Sequence, residues 1–372
     1  MSVHQLPKRP QRVAADAGNS ALLANTYYTD PAVYEWEKEH IFHRSWIYVG
    51  HESQLAQPGD VLPCHVLDEP LLLIRNNEGE LNAFYNVCAH RGMRLVEQAC
   101  NRRSLQCPYH AWTYDLDGKL VRARRTDHLK DFPRTEVRLR SVKLEVVESL
   151  IFVNLDEQHK PLSETIGPMF EDIGRFGIDV SVLSVVSSQE YEVAANWKVV
   201  IDNFLESYHA EVAHPGYTEY AAFDRAFVEA HDWYTLMGGP STEESLNALR
   251  QADRLQVTEN RYHWGFPTFA YLFYSGPPNL FVWEFIPTAF DRTTFRRNVL
   301  MPRGEAVDEQ SDALDDQLTR EDIYLIEGVW AGLKSRGLEG QGHYVVNDAE
   351  TQRSEAALHR FHRMLQELYE RG

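Results

Sequence analysis

Cysteine is scarce in this chain, with four in 372 residues. That is too few for the disulfide framework of a small secreted protein. No apolar run approaches the roughly 20 residues a membrane-spanning helix needs. Residues 1–25 are polar and Pro/Ala-rich, with no apolar run behind their basic residues, so no signal peptide is expected. A cytoplasmic protein without a membrane segment follows. Basic charge is also short. The 37 Lys and Arg stand against 55 Asp and Glu, a net charge of −18, so no basic stripe is available to a nucleic acid. Gly340-x-Gly342 lacks the third glycine and the preceding strand of a dinucleotide fingerprint, so no NAD or flavin site is expected on this chain. A hydrophobic content of 43% over this length supports about two domains.

Two of the four cysteines are placed informatively. Cys88-Ala89-His90 and Cys107-Pro108-Tyr109-His110 are two short Cys/His pairs, with sixteen residues between His90 and Cys107. Each loop offers one thiolate and one imidazole. Two Cys on one iron and two His on the other is the donor set of a [2Fe-2S] cluster of the Rieske type. Two Cys and two His can also hold a structural zinc ion. Zinc patterns usually place Cys with Cys and His with His; here each loop mixes them, which favours the iron cluster. Cys64 and Cys100 are expected to serve ordinary packing.

Along the chain, Asp30-Pro31 reads as an N-cap followed by proline at the first helical position, opening a helix to about His43. From Ser45 to Val153 the pattern is β. Strands are expected at Val61–Leu67, Leu71–Arg75, Leu81–Val87, Val142–Val147 and Leu150–Leu155, with turns at Asn76–Gly79 and Asp115–Gly118. Beyond Asp156 helical stretches are expected near 162–177, 196–209, 310–335 and 351–370. Strands are expected near 187–193, 268–274, 280–287 and 293–301. A sheet covered by helices follows. The segment Gly238–Asn260 reads as a mobile excursion or a lid, or equally as a plain surface insertion.

A second constellation lies in Asn196-Trp197-Lys198 through Glu206-Ser207-Tyr208-His209 to His214-Pro215. Trp197, Val200, Ile201, Phe204, Leu205 and Tyr208 recur at helical spacing as a core stripe, and Asp202, Glu206 and His209 share another face. His209 and His214 can reach one metal only if the helix ends or distorts near them, which Pro215 makes plausible. Two His and one carboxylate suit non-haem Fe(II) with open positions. In the helix around residues 321–333, Asp322 falls on the face of Ile323, Ile326, Val329, Trp330 and Leu333, whereas Glu321 points away. A carboxylate among apolar neighbours is costly unless paired or bound to a metal, so Asp322 is the third candidate ligand, with a buried salt bridge as the other reading. The aromatic segment 262–285 holds Trp264, Phe266, Tyr271, Phe273, Phe281 and Trp283. These are candidate substrate-pocket residues, able to face a quaternary ammonium by cation–π contact, or plain sheet core.

Phe84 to Gly92 and Cys107-Pro108-Tyr109-His110-Ala111-Trp112, followed by the second constellation, resemble the catalytic alpha subunits of Rieske non-haem iron oxygenases. The resemblance is greatest to the group acting on quaternary ammonium compounds, such as carnitine, glycine-betaine and proline-betaine oxygenases. Glu206-Ser207-Tyr208-His209 and Gly332-Leu333-Lys334-Ser335-Arg336-Gly337 also carry it. The resemblance implies an α+β protein. It would have a helical segment (1–43) packing on the catalytic domain, an all-β Rieske domain (44–155) and a helix-covered antiparallel-sheet catalytic domain (156–372). Cys88, His90, Cys107 and His110 would hold the [2Fe-2S] cluster, and His209, His214 and Asp322 the mononuclear Fe(II). Glu206 would bridge His209 and His110 between metals of neighbouring subunits in a homotrimer. O2 is the implied co-substrate, with NAD(P)H and flavin acting through a separate reductase. The implied reaction hydroxylates a C–H bond of a small molecule, a betaine-type substrate losing an N-methyl group or breaking its C–N bond; an aromatic-ring or aryl-ether oxygenase is the alternative. Electron-carrying Rieske proteins often have a disulfide between their cluster loops, where this chain has Met93 and Tyr109. Carnitine-type enzymes tend to have Cys where this chain has Ser207 and Ala210.

Overall fold

The computed structural model describes residues 13–126, 128–338, 342–347 and 353–371. Gly340 of the glycine pair, residues 1–12 of the N-terminal segment and the first two residues of the 351–370 stretch lie outside them. The chain separates into two units. Phe42–His159 form one, and the residues up to Ile41 join those from Lys160 onward in the other.

The N-terminal segment carries α1 (Thr26–Thr29) and α2 (Pro31–His40). Asp30 caps α2 as expected, accepting from the Ala32 N–H at 2.9 Å. The helix stops three residues before His43, and a 3-10 turn at Phe42–Arg44 follows.

The unit Phe42–His159 is all-β. Its strands are β1 (Ile47–His51), β2 (Asp60–Val66), β3 (Glu69–Arg75), β4 (Leu81–Tyr85), β5 (Cys100–Asn101), β6 (Leu105–Gln106), β7 (Thr113–Tyr114), β8 (Leu120–Arg122), β9 (Lys143–Val147) and β10 (Leu150–Asn154). They form three antiparallel sheets in the orders β4-β3-β2-β5, β1-β10-β9 and β6-β7-β8. Asn76 makes the β3–β4 turn, its side-chain oxygen accepting from the Glu78 and Glu80 N–H groups. Strand alternation splits β3 between two cores. Leu72 and Ile74 join the cluster that contains Cys88 and Cys107, and Leu71 and Leu73 join one with Ile151 and Val153. Cys100 packs against the first and Cys64 against the second. Strand β1 and the short strands β5, β6, β7 and β8 were not expected; pieces of two or three residues, as in β5 to β8, show no alternation to read.

In the other unit, the stretch 162–177 is broken into 3-10 turns and the short α3 (Glu171–Arg175) rather than one helix. After it come β11 (Leu183–Val193), α4 (Trp197–Phe204), α5 (Ala210–Ala213), β12 (Phe227–Ala230), β13 (Tyr234–Pro240), α6 (Glu243–Gln251), β14 (Glu259–Gly265), β15 (Phe269–Phe273), β16 (Leu280–Ala289), β17 (Arg292–Pro302), α7 (Glu309–Leu333) and α8 (Ala356–Arg371). The seven strands make one antiparallel sheet in the order β11-β17-β16-β15-β14-β13-β12. Gly238–Asn260 is therefore not an open excursion. It is the end of β13, the helix α6 capped by Thr242, and the start of β14. The glycines that suggested a loop are needed by packing: a Cβ on Gly239 would stand 2.8 Å from the Ala226 Cα.

Helix α4 lies on β16 and β17 and contacts α7. Its start is fixed by polar groups. Asn196 caps it through the Lys198 N–H, and its amide donates to the Phe290 carbonyl. Lys198 Nζ reaches Glu37 at 2.6 Å with both side chains fully buried. The Trp197 indole donates to the same carboxylate at 2.8 Å, and the Tyr369 hydroxyl of α8 donates to it as well. Glu37→Ala is expected to strand a buried ammonium, a class of change that costs about 3–5 kcal/mol. Urea unfolding of the variant should show a markedly lower midpoint; an unchanged midpoint would contradict this.

Candidate metal centres and substrate cavity

The two cluster loops close in the same way. The Cys88 N–H donates to the Met93 carbonyl and the Gly92 N–H to the Cys88 carbonyl; the Cys107 N–H donates to the Trp112 carbonyl and the Ala111 N–H to the Cys107 carbonyl. The fourth residue after each cysteine is left-handed, Gly92 at φ 75° and Ala111 at φ 56°. Both thiols are buried and both imidazoles reach the surface, His90 more than His110. The rings of His90 and His110 lie 4.7 Å apart, and His90 stacks on Trp112 at 4.6 Å. The Tyr114 hydroxyl lies 3.2 Å from Cys88 Sγ and also accepts from the Ala89 N–H. Burial pushes the Cys88 thiol up, and the hydrogen bond from Tyr114 opposes it. His110 Nδ1 is buried with no hydrogen-bond partner among the described residues. Two buried sulfurs, two adjacent imidazoles and one orphaned ring nitrogen fit the donor set of a Rieske cluster.

The second centre forms where α4 ends. The expected helix 196–209 stops at Phe204, with Leu205 as its C-cap. Tyr208 therefore leaves the core stripe and is 50% exposed. After this break α5 makes a single turn, with His209 at its start and His214 just past its end. That turn removes the angular mismatch of a five-residue spacing. Asp322 comes from the middle of α7. His209 Nε2 and His214 Nε2 approach Asp322 Oδ1 to 3.3 and 3.1 Å, and one donor atom from each of the three residues falls within 4.8 Å of the others.

Each imidazole is held by its other nitrogen. His209 Nδ1 lies 2.5 Å from Glu206 Oε1, and the His209 backbone N–H donates to Oε2 of the same carboxylate. His214 Nδ1 lies 2.8 Å from Glu321 Oε2. Glu321 thus does not point away, as the helical pattern suggested. It and Asp322 are adjacent on α7, and the His214 ring spans them, one nitrogen to each. Asp202, on the expected face with Glu206 and His209, instead binds Tyr28 and His362.

Burial works against a charge on His209, but its hydrogen bonds to Asp322 and Glu206 outweigh this and hold it up, to about 10. His214 is raised despite burial, by Asp322 and Glu321. Burial pushes the Asp322 carboxyl up, and the two histidines more than offset it. Three carboxylates around two imidazoles make a site short of positive charge. With both Nδ1 atoms facing carboxylates, both Nε2 atoms and one carboxylate oxygen converge, which is the donor set of a two-His-one-carboxylate Fe(II) site.

A cavity of about 170 Å3 opens beside this centre, reaching Glu206, His209, His214 and Asp322. Its wall includes Phe204, Tyr217, Tyr262, Tyr274, Trp283 and Phe285. Of the six expected pocket residues only Trp283 lines it. The others fail for reasons of strand alternation and position. Tyr271 and Phe273 point to the opposite face of the sheet, where Tyr271 stacks on Phe170 and donates to the Met169 carbonyl and Phe273 packs on Phe176. Trp264 is on the cavity face but packs against Phe361 of α8. Phe266 lies past the end of β14 against Trp233 and Trp264, and Phe281 packs behind Tyr274. Tyr217 and Tyr262 meet through their hydroxyls, and Tyr274 binds the half-buried Asp315. On α7, Val329 is 53% exposed rather than part of the apolar face.

Residues 181–371 match the catalytic domain of the ring-hydroxylating alpha subunit, and residues 45–133 match the Rieske [2Fe-2S] domain. The chain belongs to the Rieske ring-hydroxylating oxygenase alpha subunits. Like them it is an oxidoreductase with a Rieske domain and a mononuclear-iron catalytic domain. It is 32% identical to the carnitine monooxygenase oxygenase subunit of Acinetobacter pittii, over 96% of this chain and 97% of the relative. A quaternary ammonium Rieske monooxygenase solved with its substrate L-carnitine is 30% identical, with a TM-score of 0.86 over 98% of this alpha subunit and all of that chain. Naphthalene 1,2-dioxygenase from Rhodococcus, at 19% identity, has a TM-score of 0.76 over 93% of each chain, which shows a shared fold.

Proposed function

We propose that this alpha subunit is the oxygenase component of a two-component monooxygenase for a quaternary ammonium substrate. Its partner is a separate NAD(P)H- and flavin-dependent reductase. Cys88, His90, Cys107 and His110 hold the [2Fe-2S] cluster, and His209, His214 and Asp322 hold Fe(II). The single observation that carries the reading is the convergence of two Nε2 atoms and the Asp322 carboxylate on the wall of an aromatic cavity. When bound, the cluster supplies single electrons and the iron activates O2.

The cavity residues select the substrate. Aromatic faces attract a quaternary ammonium by cation–π contact, worth about 0.5–2 kcal/mol per ring. Among the described lining residues there is no lysine or arginine, so the wall favours a cation. Glu206 and Glu321 keep the ring nitrogens of His209 and His214 aligned. The overall reaction joins one oxygen atom to a substrate carbon and reduces the other to water, with two electrons and two protons. If that carbon is an N-methyl, the product collapses to formaldehyde and an amine.

No helix among the described residues is long and apolar enough to cross a membrane. A related quaternary ammonium Rieske monooxygenase transfers electrons between subunits, which supports an oligomeric assembly; the homotrimer is our proposal for it. The test is O2 consumption with a generic reductase and a panel of choline, carnitine, betaines and simple aromatic acids, with formaldehyde measured in parallel. Substrate-dependent uptake is expected only with the quaternary ammonium compounds; uptake with aromatic acids alone would overturn the substrate class.

A further inference from the structure

We propose that Glu321 is a positioning residue that presents His214 to the iron. The inference rests on the reading of His209, His214 and Asp322 as the iron site. His214 has no helix to hold its ring. It follows the last residue of α5, with φ −122° and ψ 62°. What fixes the ring is its Nδ1, which donates to Glu321 Oε2 at 2.8 Å. The Glu321 side chain is itself fixed, because Oε1 accepts from the Gln317 amide one turn earlier on α7, at 2.7 Å. A proton held on Nδ1 leaves the Nε2 lone pair free, and Nε2 is the atom that faces Asp322. One helix thus supplies both a ligand and the group that sets the tautomer of another ligand. An outer carboxylate of this kind also raises the basicity of the imidazole.

Glu206 serves His209 in the same way, but the two carboxylates stand differently. Glu206 lines the cavity, whereas Glu321 does not and faces the outer side of α7 beside Arg320 and Tyr324. Glu321 therefore acts on iron retention alone, and does so through His214.

The experiment is competition for Fe(II) between a chelator and the full chain with its cluster in place. Removing such a partner lowers metal affinity about 10–100-fold, and Glu321→Ala should show a loss of that size with the visible spectrum of the cluster unchanged. Glu321→Gln keeps an acceptor oxygen and should fall between the parent and the alanine variant. Excess Fe(II) should restore turnover to Glu321→Ala, which a damaged electron path would not allow. Glu321→Ala binding iron as tightly as the parent, or Glu321→Gln losing as much as alanine, would overturn the inference. Should the alanine variant not fold, the near-isosteric glutamine variant and Gln317→Ala, which only frees the carboxylate, still decide it. A parent chain that binds no Fe(II) beyond its cluster would instead remove the underlying iron-site reading.

Discussion

Asp322→Ala is expected to abolish product while the visible absorption of the cluster stays as it was. Its carboxylate is the one anionic donor facing both His209 Nε2 and His214 Nε2. Without it, two neutral imidazoles remain, and a two-His-one-carboxylate site loses a third of its donors and its charge match to Fe(II). Iron content should fall from about three per chain to about two, the two belonging to the cluster. The cluster ligands sit in the separate unit Phe42–His159, so its spectrum provides an internal control. Iron analysis together with substrate-dependent O2 uptake decides the matter, and retained turnover would refute the assignment of Asp322 as a ligand.

How much of this was legible beforehand depended on how local the signal was. The Cys/His pairs and the His209/His214 pair rest on residue type and spacing over a few positions, whereas Asp322, 108 residues beyond His214, was reached through the periodicity of α7. The fold class was also legible, since β3 and β10 are short apolar runs, α2 carries its cap and α7 its apolar periodicity. The break of α4 at Phe204 was not, because Glu206 to Tyr208 continue a helical pattern that Leu205 ends. Strands β13 and β14 were hidden behind Gly238-Gly239-Pro240, whose composition reads as a turn. The pocket residues were misjudged because an aromatic-rich strand does not say which of its two faces meets the cavity; Tyr271 and Leu272 differ by one position and lie on opposite sides. Glu321 was misread for a related reason. Periodicity orders residues around α7 itself, but not with respect to a histidine arriving from residue 214.

Glu206→Ala is the second large effect. With Fe(II) in excess both metals should remain bound, yet single-turnover transfer of electrons from the cluster should collapse. Glu206 holds both the Nδ1 and the backbone N–H of His209, so the ring loses its outer hold once it is gone. The family resemblance implies, and we propose, that the same carboxylate would meet His110 of a neighbouring subunit. Loss of an outer partner alone costs about 10–100-fold, and loss of the proposed link should push the defect to the upper end or beyond. Rapid mixing of the pre-reduced protein with O2 and substrate reads the rate at which the cluster colour returns. A parent-like rate would show that Glu206 is not the connection. Excess iron should rescue Glu321→Ala but not Glu206→Ala, which separates the two carboxylates by function.

The Glu37 carboxylate also bears on the order in which the molecule is made. Its donors are Trp197, Lys198 and Tyr369, and the last is 332 residues away in sequence. The contacts of Glu37 in the catalytic unit are therefore completed only once Tyr369 of α8 has left the ribosome. Every residue of the unit Phe42–His159 has emerged long before then, and domains fold as units during synthesis. The iron–sulfur unit can mature while its catalytic counterpart is still waiting for α8.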